Sequence, residues 1–140
     1  MDSQTDTRTY NGITFDSVME MRFYSEFCIP KLESGELKQV ELQVAYELQP
    51  KFKYNDISVK AITYVADFVL TDTDDKIMVI DIKGMPDTAA KIKRKLFWYK
   101  YPDIDYRWVT FSKIDGGWCE YEDVQKARRQ RKKEKLKNGK

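Results

Sequence analysis

Asp67 and, fourteen residues further on, Asp81-Ile82-Lys83 place two carboxylates and an amine in apolar, strand-like surroundings. Along a strand, residues two apart share a face, so Asp81 and Lys83 project together beside whatever Asp67 reaches. A charge in such a setting is costly unless it is paired or binds a metal. Carboxylates that converge without imidazole or thiolate suit a hard cation such as Mg²⁺, which takes oxygen ligands and keeps several waters.

The chain contains no histidine, which excludes Ser-His-Asp hydrolases, Cys-His proteases and histidine zinc sites. Any catalysis must run on carboxylates, lysine, tyrosine or a metal. The net charge of +2 hides a partition: residues 125–140 hold nine Lys or Arg and one acid, a local +8, which leaves −6 on the other 124 residues. An acidic body with a basic arm suits action on a polyanion, the arm supplying phosphate affinity that a carboxylate-rich centre lacks. With 41% hydrophobic and 14% aromatic residues the chain reads as one folded domain over residues 1–124 followed by a basic tail over 125–140. No membrane span or apolar leader is expected, and the two distant cysteines, Cys28 and Cys119, read as free thiols of a cytoplasmic protein.

Several elements must position the acids. Residues 1–9 read as frayed and Asn11-Gly12 as a turn. Thr14 or Asp16 then caps a helix to about Lys31, with Phe15, Val18, Met19, Arg22, Phe23 and Phe27 at helical spacing and Glu20 beside that face. Strands are expected over residues 37–42, 46–54, 59–64, 65–70 and 77–82, with a turn over 72–76. Asp87 or Thr88 caps a helix over residues 89–100 whose buried face comprises Ala89, Ile92, Leu96, Phe97 and Tyr99. Residues 106–111 form a strand, Asp115-Gly116-Gly117 a turn, and Tyr121 begins a basic helix. Helix, strands, helix, strand and a helical tail imply an α/β (α+β) fold, a central mixed sheet flanked by helices.

Glu20 on a first helix, Asp67 after Tyr64-Val65-Ala66, and Asp81-Ile82-Lys83-Gly84 after an apolar strand resemble the PD-(D/E)XK nuclease superfamily. The residues Gly12 to Ser17 before Glu20, and Lys91 to Tyr101 after the lysine, are similar more particularly to small phage and prophage proteins related to Holliday junction resolvases. The likeness covers about residues 10–128. Ala66 stands where the signature proline would be, and the middle acid is Asp81 rather than Glu. The resemblance implies a restriction-endonuclease-like core and a cytoplasmic, Mg²⁺-dependent endonuclease (Mn²⁺ as substitute) acting on branched DNA in phage recombination or replication. Asp67, Asp81, the Ile82 backbone carbonyl and Glu20 would hold the metal, and Lys83 would orient or help deprotonate the attacking water. Two symmetric cuts at a junction imply a homodimer.

Each of these residues has a plainer alternative. Asp81 and Lys83 can form a surface ion pair worth about 0 to 1 kcal/mol, Asp67 can terminate a strand, and Asp16 or Glu26 can stand in for Glu20. Gln43 can contact the site or be an ordinary strand residue. Lys91, Lys93, Arg94 and Lys95, after the N-terminus of the second helix, can bind phosphate or form a solvated face, Lys91 and Arg94 being the leading pair. In the tail, Lys126, Arg128, Arg129, Arg131, Lys132 and Lys133 favour nonspecific, salt-sensitive DNA binding. The competing functions are a nicking, flap or restriction-like nuclease, a catalytically silent DNA-binding module, and a protein-interaction factor whose tail docks an acidic partner.

Overall fold

The computed structural model describes residues 7–139. Of the stretch expected to fray, residues 1–6 lie outside the described residues, while Thr9 is structured: β1 (Thr9–Tyr10) pairs antiparallel with β2 (Ile13–Thr14). Asn11 and Gly12 between them both have positive φ, as a two-residue hairpin turn requires.

The first helix is capped by Ser17, whose side chain accepts from the Glu20 amide, and neither Thr14 nor Asp16 takes that role. It runs as α1 (Val18–Phe23), a π-helical turn (Tyr24–Cys28) and α2 (Ile29–Ser34), ending on Gly35 in the left-handed conformation. Pro30 does not end the helix; it sits in the first turn of α2. A proline ring lacks an N–H and crowds the carbonyl four residues back, and the π turn immediately before it takes up that misfit.

Strands expected as separate pieces fuse. β3 (Leu37–Gln49) is one 13-residue strand, and β6 (Ile62–Asp72) joins the two segments on either side of Val65. Between them β4 (Phe52–Tyr54) and β5 (Ile57–Val59) form a separate hairpin. β7 (Ile77–Ile82) has the expected bounds, and the turn before it is tied by Asp72 Oδ1, which accepts from the amides of Asp74 and Lys76. α3 (Thr88–Lys100) is capped by Asp87, β8 spans Asp105–Ser112, β9 (Gly117–Glu120) was not anticipated, and α4 (Tyr121–Asn138) is unbroken through residue 125.

The main sheet has the order β3-β6-β7-β8-β9, antiparallel except for the parallel β7–β8 pair. It is a mixed sheet flanked by helices, with a C-terminal helix. One face buries Val69, Val79, Tyr106 and Trp108 against Phe97 of α3; the other buries Phe68, Leu70, Ile80 and Val109 against Phe23 of α1 and Cys28. The inward face of α3 differs from the expected one. Ala90, Leu96 and Phe97 pack inward, whereas Ala89, Ile92 and Tyr99 are exposed, Tyr99 at 88%. Periodicity alone could not choose, because the basic residues at 93, 94 and 95 and the aromatics at 97, 98 and 99 are each consecutive and so point around much of the α3 circumference. Both cysteines are free, and burial pushes the Cys28 thiol up to about 12.

Candidate active-site cleft

Asp67 sits where two strands change face together. Tyr64 and Ala66 of β6, with Val44, Tyr46 and Leu48 of β3, pack on the α3 side, whereas Phe68 and Leu70, with Val40 and Leu42, pack on the α1 side. Unbroken alternation would keep residues 66 and 68, or 42 and 44, on one face. The inversion falls where the Leu42–Phe68 and Val44–Ala66 pairs bracket Gln43 and Asp67. Gln43 has φ 53°, left-handed backbone that a non-glycine residue adopts only at a cost.

The β6–β7 ladder ends at Phe68–Ile80. One residue beyond, the Asp67 carboxylate replaces a backbone partner: its Oδ2 accepts from the Ile82 amide at 2.8 Å. β7 continues beside β8 instead, and the Lys83 amide donates to the Val109 carbonyl at 2.9 Å. The strands therefore diverge over Asp81, and the gap carries side chains rather than ladder hydrogen bonds. Asp81, 3% exposed, projects from β7 to the α3 side like Val79, and its Oδ2 stands 2.8 Å from Lys83 Nζ. The alternation that pairs residues 81 and 83 holds, and Lys83 also lies 5.6 Å from the Trp108 ring centroid.

Glu20 reaches the same place from the first turn of α1. The cap that fixes its amide also fixes its direction, and it is only 8% exposed. Glu20, Asp67, Asp81, Ile82 and Lys83 line one open cleft of about 410 Å³, completed by Thr63, Tyr64, Val65, Asp87, Lys93 and Tyr106 among others. The alternative acids are elsewhere: Glu26 is bound to Arg22 and Trp118, and Asp16, although close enough to influence Glu20, does not line the cleft.

Burial, then Asp16 and Asp81, raise Glu20 from an ordinary 4.5 to about 7, with Lys83 opposing. Asp67 is driven well above the usual carboxylate range, first by burial and then by the neighbouring Asp81 carboxylate, so Asp67 holds its proton near neutral pH. Glu20 Oε2 and the Tyr64 hydroxyl are buried without a hydrogen-bond partner among the described residues, and Asp81 Oδ2 has the Lys83 ammonium but no hydrogen bond. No three acidic or thiol side chains among the described residues form a finished metal-binding set. The Asp67 carboxylate is turned to the Ile82 amide and that of Asp81 to Lys83.

Of the basic residues singled out in sequence, Lys91 is exposed on α3 and does not line the cleft. Arg94 is held inside the fold, 3.7 Å over the Trp108 ring and ion-paired to Glu122 of α4 at 2.8 Å. Lys93, named with that helix's cations but not among the leading pair, is the α3 lysine that lines the cleft, and its ammonium donates to the Thr63 carbonyl at 3.2 Å. On α4, Lys126, Arg128, Arg129, Lys132 and Lys133 are exposed, while Arg131 grips Asp115 at 2.7 Å. Tyr64 and Tyr106 also escaped notice as cleft residues; aromatic residues in apolar strands carry no mark that separates a cleft wall from a core.

A family model described as "Protein of unknown function (DUF1064)" matches residues 4–115, a span that contains every cleft residue. No curated protein matches the chain.

Proposed function

We propose, for a chain that belongs to the DUF1064 family of proteins of unknown function, a divalent-metal-dependent nuclease whose active site is the cleft around Asp67, Asp81, Lys83 and Glu20. The observation that carries this reading is the convergence of three carboxylates, the buried Glu20 and Asp81 and the half-buried Asp67, on one open cleft that also holds a lysine, with Glu20 Oε2 left without a hydrogen-bond partner. A buried carboxylate oxygen without a donor is costly, and a hard cation is the partner that an all-oxygen donor set suits best. The donor set therefore fits Mg²⁺, with Mn²⁺ as substitute: Asp67, Asp81, the Ile82 carbonyl and Glu20 would hold it.

When bound, such a cation supplies Lewis acidity, polarising a phosphoryl oxygen and making water a stronger acid. The chain's own groups account for the rest. Asp81 fixes the Lys83 ammonium, whose three donors orient the attacking water and oppose charge building at phosphorus. Glu20, raised to about 7 while no cation is present, would give up that proton on binding one. Lys93, at the cleft wall, attracts the phosphate backbone, and the exposed cations of α4 add sequence-independent affinity.

DNA is the substrate that the basic α4 favours. The finer reading is a cytoplasmic, phage-type enzyme selective for branched DNA, as a Holliday junction resolvase is, working as a homodimer with two sites; no helix among the described residues is long and apolar enough to cross a membrane. Incubation of a synthetic four-way junction and a linear duplex with the protein, in Mg²⁺ and in EDTA, tests it. Cleavage should need the cation, fall at least about a hundredfold in Asp81→Asn, and leave DNA binding by that variant intact. Undiminished cutting by Asp81→Asn removes the site assignment.

A further inference from the structure

The hairpin β4–β5 has two unlike faces and no cover. Tyr54, Asn55, Asp56 and Ile57 make its tip, with Asn55 and Asp56 both at positive φ, the backbone of a tight two-residue turn. Phe52 pairs with Val59 and Tyr54 with Ile57, so these four side chains share one face, and Lys53 with Ser58 occupies the other. Phe52, Tyr54 and Ile57 are 47%, 64% and 61% exposed. Lys51, Lys53 and Lys60 outnumber the single acid of the hairpin, Asp56. A two-stranded hairpin that packs on nothing is marginal in water, and an apolar face rimmed by charge marks a place of contact.

Its position ties it to the cleft. Only Lys60 and Ala61 separate β5 from β6, and the next residues along β6, Thr63, Tyr64, Val65 and Asp67, are the cleft wall. From Ile62 to Asp67 is five residues, about 17 Å at strand rise, a distance that a few nucleotides of a polyanion in the cleft can span. Bases offer aromatic faces that every Phe or Tyr can stack on, and phosphates offer charge to lysine.

We infer that the β4–β5 hairpin is a wedge for unpaired bases of the nucleic acid held in the cleft, Phe52 and Tyr54 stacking on base faces and Lys51, Lys53 and Lys60 holding phosphates. The inference rests on the nuclease reading above and narrows it to DNA with unstacked bases beside the cut. A uniform duplex has no free base face to offer the hairpin, whereas a fork or junction does.

The test compares a forked DNA with a linear duplex of the same sequence, by fluorescence anisotropy in EDTA and by cleavage in Mg²⁺, for the full chain and two variants. Phe52→Ala/Tyr54→Ala should weaken fork binding about tenfold and leave duplex binding within about twofold. Lys51→Gln/Lys53→Gln/Lys60→Gln should weaken both and lower the slope of log affinity against log salt by about two to three. Circular dichroism checks that each variant is folded, which is expected because the hairpin stands apart from both core clusters. If the parent cuts DNA but the aromatic variant keeps the full preference for forks, the wedge is wrong and the nuclease reading stands. If the parent neither binds nor cuts DNA, both fall. If the aromatic variant turns a dimer into a monomer with DNA affinity unchanged, the face is a self-association surface and the wedge is overturned.

Discussion

Glu20 and Asp67 carry the clearest electrostatic signature of the cleft, and it gives a pH prediction. Both folded-state values are raised, Glu20 to about 7 and Asp67 well above the carboxylate range. The folded protein thus holds protons that an unfolded chain releases near pH 4. The resulting stabilisation is fully present below that pH and is lost as pH rises through about 7 at Glu20 and higher still at Asp67. Without divalent cation, the melting temperature should fall between pH 5.5 and 8. Because a cation competes with those protons, Mg²⁺ should raise the melting temperature more at pH 8 than at pH 5.5. Scanning fluorimetry at both pH values, with Mg²⁺ and with EDTA, measures this; a melting temperature indifferent to both variables contradicts a carboxylate metal site. That Asp81 and Lys83 would meet was legible from their spacing, whereas the depth of Glu20 was not, since a helix glutamate is usually exposed.

At the level of elements, the decisive feature is the face inversion at Gln43 and Asp67. The expected piece 37–42 and the first residues of the piece 46–54 are one strand, β3, continuous to Gln49 through a kink at the point where the reading broke it, while residues 52–54 belong to β4. The left-handed backbone at Gln43 yields a specific expectation. Gln43→Val should destabilise the fold by about 1 to 2 kcal/mol relative to Gln43→Gly, since a β-branched residue tolerates positive φ least. Urea denaturation compares the two, and equal midpoints would mean that the kink relaxes freely. Asp87 offers a second test at this scale. Its side chain accepts from the Ala90 amide at 2.8 Å, so Asp87→Ala should cost about 1 kcal/mol by the same measurement. The turns and the Asp87 cap were readable because their chemistry is local, although the first helix caps on Ser17 rather than Thr14 or Asp16. The inward face of α3 was not, because an arginine stem packs well when an aromatic ring lies below it.

Across the whole molecule, an acidic body and a basic helix are joined by specific struts. Arg131 binds Asp115, Glu122 binds Arg94, and Val124 is buried, so α4 is docked as far as Arg131 and exposed from residue 132 to 138. Deleting residues 132–140 should therefore leave the melting temperature nearly unchanged. It should also weaken binding to any DNA, with a shallower salt dependence. Anisotropy at several salt concentrations reads the second effect, and an unchanged slope would remove α4 from the DNA-binding surface.

The residue types, the Asp67 and Asp81-Ile82-Lys83 spacing, the lack of histidine and the charge of the tail were all fixed by composition and local pattern, which need no knowledge of distant contacts. Tertiary structure alone decided that β6 and β7 diverge at Asp67, that Glu20 reaches the gap from another element, that Lys93 rather than Lys91 borders the cleft, and that the β4–β5 hairpin stands apart from both core clusters. Those outcomes depend on which strands pair and where their register breaks, and pairing energies are distributed over residues far apart in the chain.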